Sequence, residues 1–133
     1  MKNIIESGKR KRAIARAKIK EGSGKITINK KDYKHLQEFD KLIISEPLLI
    51  AEKILGKLSF DVEIQVHGGG EKSQIEASRL ALARAIVKFS NSKELSEAYL
   101  EYDRNLLIAD VRRKETYKPG DSKARAKRQT SYR

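Results

Sequence analysis

The segment FDVEIQVHGGGEKSQIEASRLALARAIVKF, residues 60–89, passes from a two-residue hydrophobic period to a helical one. From Phe60 to Val66 every second residue is apolar, which is the pattern of a strand with one buried face. Gly68–Gly70 interrupt that pattern, and helical spacing follows from about Glu71 to Phe89. One stripe of this helix consists of Ile75, Leu82, Ile86 and Phe89. The segment therefore predicts a strand, a glycine turn and a long helix.

Small and basic residues occupy the other positions of that helix. Ala77, Ala81 and Ala85 repeat every four residues and leave a smooth surface that something can approach closely. Arg79 and Arg84, with Lys72 and Lys88, lie on its two borders. Such residues can extend from a buried helix into solvent, or some of them can touch RNA, and both readings stay open.

Residues 13–20 predict a second strand with one cationic face. Ala13, Ala15, Ala17 and Ile19 alternate with Ile14, Arg16, Lys18 and Lys20. Residues 21–24 (Glu-Gly-Ser-Gly) supply a turn and residues 25–29 alternate again, so we expect a hairpin across residues 13–29. Residues 3–7 are a candidate for a further short strand.

Two more helices are expected. Ser45-Glu-Pro47 is typical of a helix start and Gly56 of a helix end, with Leu48, Ala51 and Leu55 on one side between them. Tyr33, Leu36 and Phe39 suit one short helical turn, and a further helix is predicted from about Ser92 to Asp103. Leu106 to Ala109 is the last apolar cluster. The order of elements favours an α+β sandwich whose sheet is covered on one face.

Charge is concentrated at the two ends of the 133-residue chain, whose net charge is +12. Residues 1–20 contain eight Lys or Arg and one acid, and residues 111–133 contain nine and two. A globule flanked by cationic ends is typical of a protein that binds a polyanion, and nucleic acid is the first candidate. We expect a globular domain over residues 1–110 and an extended basic tail over residues 111–133.

Other classes of protein are disfavoured. Without cysteine there is no disulfide or thiolate metal site, and the two histidines have no ligand spacing around them. No signal-like or membrane-spanning segment is present, so we expect a soluble intracellular protein. Glu71 separates Gly70 from Lys72-Ser73, which breaks the Walker pattern. Asp61 and Glu63 pair on one strand face, but no nucleophile stands beside a base, so neither an enzyme nor a cofactor is expected.

Two motifs suit phosphate contact. Gly8-Lys-Arg-Lys-Arg12 places four cations directly before a strand, and Arg16 and Lys18 continue the charge along it. We favour phosphate contact there over a merely solvated charge run. Gly68–Gly70 before a helix N-terminus can cradle a phosphate or simply make a tight turn, and both remain open.

Three motifs together resemble the family of small-subunit ribosomal protein nine, in its archaeal and eukaryotic form. They are Gly8-Lys-Arg-Lys-Arg-Ala-Ile-Ala-Arg16, the turn and helix from Gly68 through Gln74 to Ala85, and the tail Lys123-Ala-Arg-Ala-Lys-Arg-Gln-Thr-Ser-Tyr-Arg133. The resemblance covers essentially the whole chain. It implies a two-layer α+β sandwich with a mixed sheet, like the second domain of small-subunit ribosomal protein five.

The same resemblance implies a function in the cytoplasmic ribosome. Members bind small-subunit rRNA in the head of the subunit, beside neighbouring head proteins, with no membrane or small-molecule partner. Their C-terminal tail threads through rRNA toward the decoding centre, where its end approaches the tRNA in the peptidyl site. Residues 114–121 depart from the denser basic run that the family commonly carries.

The candidate site residues follow from these patterns and from the resemblance. Contacts to rRNA are expected from Lys9, Arg10, Lys11, Arg12, Arg16, Lys18, Gly68, Gly69, Gly70, Lys72, Arg79, Arg84, Arg112, Arg113, Lys114, Lys118, Lys123, Arg125, Lys127 and Arg128. Contacts to tRNA are expected from Arg128, Tyr132 and Arg133. The alternatives are a free-standing nucleic-acid chaperone or DNA-binding protein, and a small phosphate-handling enzyme that uses the glycine turn.

Overall fold

The computed structural model of the chain describes residues 4–103 together with residues 106 and 107. Within this part the strands are β1 (Ile4–Arg10), β2 (Ala13–Glu21), β3 (Ile26–Ile28), β4 (Lys31–Asp32) and β5 (Phe60–His67). The helices are α1 (Glu38–Leu55), α2 (Glu71–Ser90) and α3 (Lys93–Tyr102), and a short 3₁₀ turn spans Tyr33–His35. The predicted boundary at residue 110 lies outside the described residues.

The described strands form one mixed sheet in the order β1-β2-β5-β3-β4. β3 runs parallel to β5, and the other neighbouring pairs are antiparallel. Helix α2 packs on β1, β2 and β5, α1 packs beside α2, and α3 packs on α1. The α+β sandwich with helices on one face of a mixed sheet is thus confirmed.

The core lies between the sheet and the helices, on the apolar faces that the sequence predicts. Every second residue of β2 from Ala13 to Ile19 is buried, as is every second residue of β5 from Phe60 to Val66. From α2 the predicted stripe residues Ile75, Leu82 and Ile86 face them. Phe89 closes one end by an edge-on contact with Phe60, with ring centroids 5.9 Å apart.

The predicted hairpin across residues 13–29 is wrong, because β5 lies between β2 and β3. Residues 22–25 instead cross the start of β5 and are held by a side chain of that strand. The backbone N–H groups of Ser23, Gly24 and Lys25 donate to the Asp61 carboxylate over 2.9–3.1 Å. The true hairpin joins β2 to β1 across Lys11 and Arg12, so the basic cluster forms the end of a strand and its turn.

Helix α1 begins seven residues before the predicted start at Ser45. The Ser45 hydroxyl does not cap the helix but donates to the Leu42 carbonyl over 2.9 Å. Pro47 lies inside the helix, where it is buried. Tertiary packing of Ile44, Leu48 and Ala51 offsets the helix bond that proline removes. The predicted end at Gly56 is confirmed.

The smooth alanine surface of α2 is occupied by the protein's own sheet. A Cβ atom added to Gly8 of β1 would lie 2.5 Å from the Ala77 carbonyl oxygen and 2.7 Å from the Ala81 nitrogen. Both alanines are fully buried. Close approach of strand to helix therefore explains Gly8, Ala77 and Ala81 together, and this surface is closed to a ligand.

Candidate nucleic-acid interface

The face of the sheet away from the helices is cationic along β1 and β2. Residues directly opposite each other in the ladder share a face, and Ser7–Arg16–Gln65 and Ile5–Lys18–Glu63 form two such rows. We call this the open sheet face. Its members on β1, β2 and β5 are Ile5, Ser7, Lys9, Ile14, Arg16, Lys18, Lys20, Asp61, Glu63, Gln65 and His67, and Lys25 and Thr27 continue it toward β3. Arg16, Lys18 and Lys20 are exposed on it, as their alternation predicts.

Acidic residues limit the basic row toward β3. A shallow cavity of about 280 Å³ is lined there by Lys18, Lys20, Lys25, Asp61 and Glu63. The Asp61 carboxylate accepts three backbone N–H groups, and the bond from Lys25 is the largest cause that lowers its pKa. Asp61 therefore stays charged, and the end of the face with the highest cation excess is the β1–β2 side.

The hairpin tip, Lys11 and Arg12, lies directly against the glycine turn that the sequence places 56 residues later. Gly68 and Gly69 have φ angles of 78° and 64°, which favour glycine. A Cβ atom at Gly68 would lie 2.6 Å from the Arg12 carbonyl oxygen, and one at Gly69 would lie 2.9 Å from the Ala13 nitrogen. A tight turn packed against the hairpin tip is therefore sufficient to explain why Gly68 and Gly69 are glycines.

The same packing brings the basic tip beside the N-terminus of α2. Helix α2 begins at Glu71 after Gly70, which supplies no side-chain cap to the first turn. Lys72 is exposed in that first turn, and Lys9, Lys11 and Arg12 are exposed at the neighbouring hairpin. Cationic side chains, a positive helix end and exposed glycine backbone thus meet at one corner of the molecule, and each of them attracts phosphate oxygens.

Three of the predicted contact residues engage the protein itself. Arg10 forms an ion pair with Glu76 at 2.6 Å. The Arg79 guanidinium donates to Glu46 of α1 over 2.8 Å and to Asp103 over 3.2 Å. Arg84 donates to the Leu107 carbonyl over 2.8 Å and to the Ser7 carbonyl over 2.9 Å. The last two arginines therefore join elements of the fold, a role that neither sequence-based interpretation, extension into solvent or contact with RNA, had named.

The predicted tail contacts fall on residues that the structure does not describe. This group contains Arg112, Arg113, Lys114, Lys118, Lys123, Arg125, Lys127, Arg128, Tyr132 and Arg133. The described part of the chain supplies the remaining candidates: Lys9, Arg10, Lys11, Arg12, Arg16, Lys18, Gly68, Gly69, Gly70, Lys72, Arg79 and Arg84.

Two features of this region were missed from the sequence. Lys25 lines the open sheet face together with Lys18 and Lys20. The alternation of Lys25 with Ile26 could have indicated this position. The sequence analysis missed it because it paired residues 25–29 with β2 instead of β5. Asn29 has a structural role, since its side-chain amide exchanges hydrogen bonds of 3.0 and 3.2 Å with the backbone of Val66. No local pattern marks that contact, because the two residues are 37 positions apart.

Across the described residues, no helix combines the length and the apolar character needed to cross a membrane. In the same part of the chain, no group of three or more His, Cys, Asp or Glu residues is placed to hold a metal ion.

Comparison with known proteins agrees with the resemblance drawn from the motifs. The family model described as ribosomal protein S9/S16 matches residues 8–133. A protein of Methanococcus vannielii named small ribosomal subunit protein uS9 is 48% identical, and proteins of the same name from Methanococcus maripaludis strains C7 and C5 are 49% identical. Each alignment covers 100% of this chain and 100% of the relative. The chain therefore belongs to the ribosomal protein S9/S16 family, whose members are structural components of the ribosome and not enzymes.

Proposed function

We propose that this protein binds small-subunit rRNA in the head of the small ribosomal subunit and supports translation as a structural constituent. The observation that carries the proposal is the meeting of the basic hairpin tip, the glycine turn and Lys72 at one corner, continuous with Arg16 and Lys18 on the open sheet face. The full-length identity to proteins named small ribosomal subunit protein uS9 supports the same partner. The protein then acts in the cytoplasm, beside other head proteins.

Binding in this proposal is electrostatic positioning. Lysine and arginine side chains on the open sheet face neutralise phosphates and release their counterions, which gives affinity without reading base sequence. Specificity comes from the shape of the folded RNA, which must fit the open sheet face and the hairpin tip. Asp61 and Glu63 repel phosphate at the β3 side, so the RNA backbone follows β1 and β2.

Two arginines of α2 have a different role from that of the exposed cations. Arg79 and Arg84 use their donors on Glu46, Asp103, Ser7 and Leu107, so we assign them to the fold and not to rRNA. Lys9, Lys11, Arg12, Arg16, Lys18 and Lys72 form the proposed contact set of the body, with Lys20 and Lys25 at its margin. Arg10 contributes charge beside the tip while its guanidinium pairs with Glu76.

The salt dependence of rRNA binding tests this assignment. We expect the double variant Arg16→Gln/Lys18→Gln to bind a small-subunit head rRNA fragment more weakly. The slope of log K against log salt concentration should fall by roughly 1.5, since each lost phosphate contact removes about 0.7–0.9. The matched control is Lys41→Gln/Lys53→Gln, which removes two exposed charges from α1. An equal loss of rRNA affinity and an equal fall of the salt slope in the two double variants would contradict the assignment.

For the tail, we propose that residues 111–133 run through rRNA and that Arg128, Tyr132 and Arg133 contact the tRNA in the peptidyl site. The support is the family resemblance of the tail motif and the family match that continues to residue 133. Deletion of Ser131–Arg133 should leave subunit assembly largely intact and weaken tRNA binding in the peptidyl site. Unchanged tRNA affinity in subunits that carry the truncated chain would overturn this part of the proposal.

A further inference from the structure

The chain leaves α3 through a short segment that is held to the body at several points. Leu106 is fully buried in the core, and its backbone N–H donates to the Asp103 carbonyl over 3.0 Å. Asp103 donates its own backbone N–H to the Tyr99 carbonyl over 2.9 Å, and its carboxylate accepts from Arg79 over 3.2 Å. We call Asp103, Leu106 and Leu107 the exit segment, because the basic tail follows it in the chain.

Arg84 of α2 holds the end of the exit segment against the sheet. Its Nε group donates to the Leu107 carbonyl over 2.8 Å, and its Nη1 group donates to the Ser7 carbonyl over 2.9 Å. Ser7 belongs to β1, which is the outermost strand on its side of the described sheet. One planar guanidinium therefore joins Leu107 to the outer edge of β1, and its donors on these two carbonyls are not available for a phosphate.

The position of Leu107 matters because a long stretch of chain, residues 108–133, follows it. A fully extended chain of that length spans about 90 Å, so its end has a defined reach only if its start is fixed. If the exit segment came loose, the chain would be fixed only as far as the end of α3 at Tyr102. The added residues 103–107 would then move the start of the tail by up to about 17 Å, which is several times the length of a hydrogen bond.

We propose that Arg84 is a positioning residue that fixes where the basic tail leaves the body and thereby sets the reach of its end toward the tRNA. This inference rests on the proposed function of the tail and adds a residue of the globular body to it. Arg79 supports the same segment through Asp103. The property that Arg84 supplies is a planar group that donates to two carbonyls at once, which lysine cannot reproduce although it carries the same charge.

Amide hydrogen exchange in the purified full-length protein tests whether Arg84 fixes the exit segment. We expect Arg84→Lys to speed exchange of the Leu106 amide roughly tenfold more than that of Ala17 in β2, because one charge-assisted hydrogen bond is lost locally. The control is Ile26→Val, which removes one buried methylene from β3, far across the sheet from β1. It should not speed exchange at Leu106 more than at Ala17. If Arg84→Lys showed no greater acceleration at Leu106 than at Ala17, the inference would be overturned.

Binding of tRNA in the peptidyl site of assembled small subunits tests the consequence for function. Subunits that carry a full complement of Arg84→Lys should bind this tRNA at least about threefold more weakly, because the tail end then meets its site at a lower effective concentration. Subunits with Ile26→Val should match wild type.

Deletion of Ser131–Arg133 separates this inference from the proposed function of the tail. If the deletion weakens tRNA binding and Arg84→Lys leaves it unchanged, Arg84 does not position the tail and the proposed tail contact still stands. If the deletion has no effect, the proposed tail contact is wrong, and the inference that rests on it is overturned as well. Weaker tRNA binding in both variants, with Ile26→Val unchanged, is the expected result.

Discussion

At the residue scale, Gly8 is required by packing and not by its place in a basic motif. Its missing side chain lets β1 lie against the backbone of α2 at Ala77 and Ala81. We predict that Gly8→Ser lowers the free energy of unfolding by roughly 1–3 kcal/mol, because the new Cβ must push two packed elements apart. Urea denaturation measures this change.

The control for that prediction is the same substitution at another glycine. A Cβ atom at Gly70 meets nothing within 4 Å, and serine is a good residue at the start of a helix. Gly70→Ser should therefore leave the free energy of unfolding unchanged or slightly raised. If both variants lost the same stability, the packing explanation of Gly8 would be wrong.

Asp61 is the second residue with an unexpected role. Its carboxylate holds residues 23–25 through three backbone N–H groups, so Asp61→Asn should cost about 1–2 kcal/mol of stability at pH 7. Its folded-state pKa lies below the ordinary value of 3.8, so its stabilisation is present above that pH and is lost as the pH falls through the folded-state pKa.

The measurement is urea denaturation of wild type and Asp61→Asn between pH 7 and pH 3. The difference in the free energy of unfolding between the two proteins should narrow over the acidic part of this range, because only the wild type has a carboxylate at position 61 that becomes protonated. Glu63→Gln, two residues along the same strand face, should show a gap within about 0.5 kcal/mol throughout. A constant gap for Asp61→Asn down to pH 3 would rule out the charged carboxylate as the cause.

Residue roles of this kind are where sequence reasoning is weakest. Gly8, Asp61 and Asn29 each act on backbone more than 30 positions away. Gly8 looked like the edge of a charge run and Asp61 like a solvated acid, because nothing near them in the chain reveals those partners. Arg16, Lys18 and Lys20 were readable, since strand alternation alone fixes which face they occupy.

At the scale of elements, two arginines of α2 fix the segment that leads toward the C-terminus. Arg79 connects Glu46 of α1 to Asp103, and Arg84 connects Ser7 of β1 to Leu107. We predict that Arg79→Met destabilises the protein by about 1–3 kcal/mol, because it removes the ion pairs that Arg79 makes with Glu46 and Asp103. The salt dependence of rRNA binding should be unchanged.

Lys72→Met is the matched variant on the same helix. Lys72 is exposed at the corner beside the hairpin tip, so its loss should leave the free energy of unfolding within about 0.5 kcal/mol of wild type. The salt slope of rRNA binding should fall by roughly 1. Thermal denaturation measures stability, and titration at several salt concentrations measures the slope. If Arg79→Met lowered the salt slope without lowering stability, while Lys72→Met did the reverse, the predicted rRNA contact of Arg79 would be supported instead.

Elements were predictable where the signal was local. β5 and α2 each show their own hydrophobic period over seven or more residues, and the end of each differs from its prediction by one residue. The start of α1 was misplaced because Ser45 and Pro47 imitate a first turn, while burial of Ile44 in the core extends the helix upstream. The partner of β3 was misassigned because a short turn after β2 favours a hairpin, whereas β5, which is distant in the chain, lies between the two strands and pairs with both.

At the scale of the whole molecule, the sandwich separates two kinds of surface. The open sheet face and the hairpin tip carry exposed lysines and arginines, whereas the outer side of α1 carries the exposed apolar side chains of Phe39, Leu42 and Leu49. The sequence predicted a cationic protein and one cationic strand face. It did not predict the two-sided arrangement, because that depends on which side of the sheet the helices cover. This separation is the basis for placing rRNA on the open sheet face.

The central claim is that rRNA lies against the open sheet face, and hydroxyl-radical cleavage from a tethered probe tests it most directly. Because the chain has no cysteine, Gln65→Cys and Leu42→Cys each place one iron chelate, on the open sheet face and on the exposed outer side of α1 respectively. In assembled small subunits we predict strong cleavage of head rRNA from position 65 and little from position 42. Strong cleavage from position 42 with none from position 65 would contradict the claim.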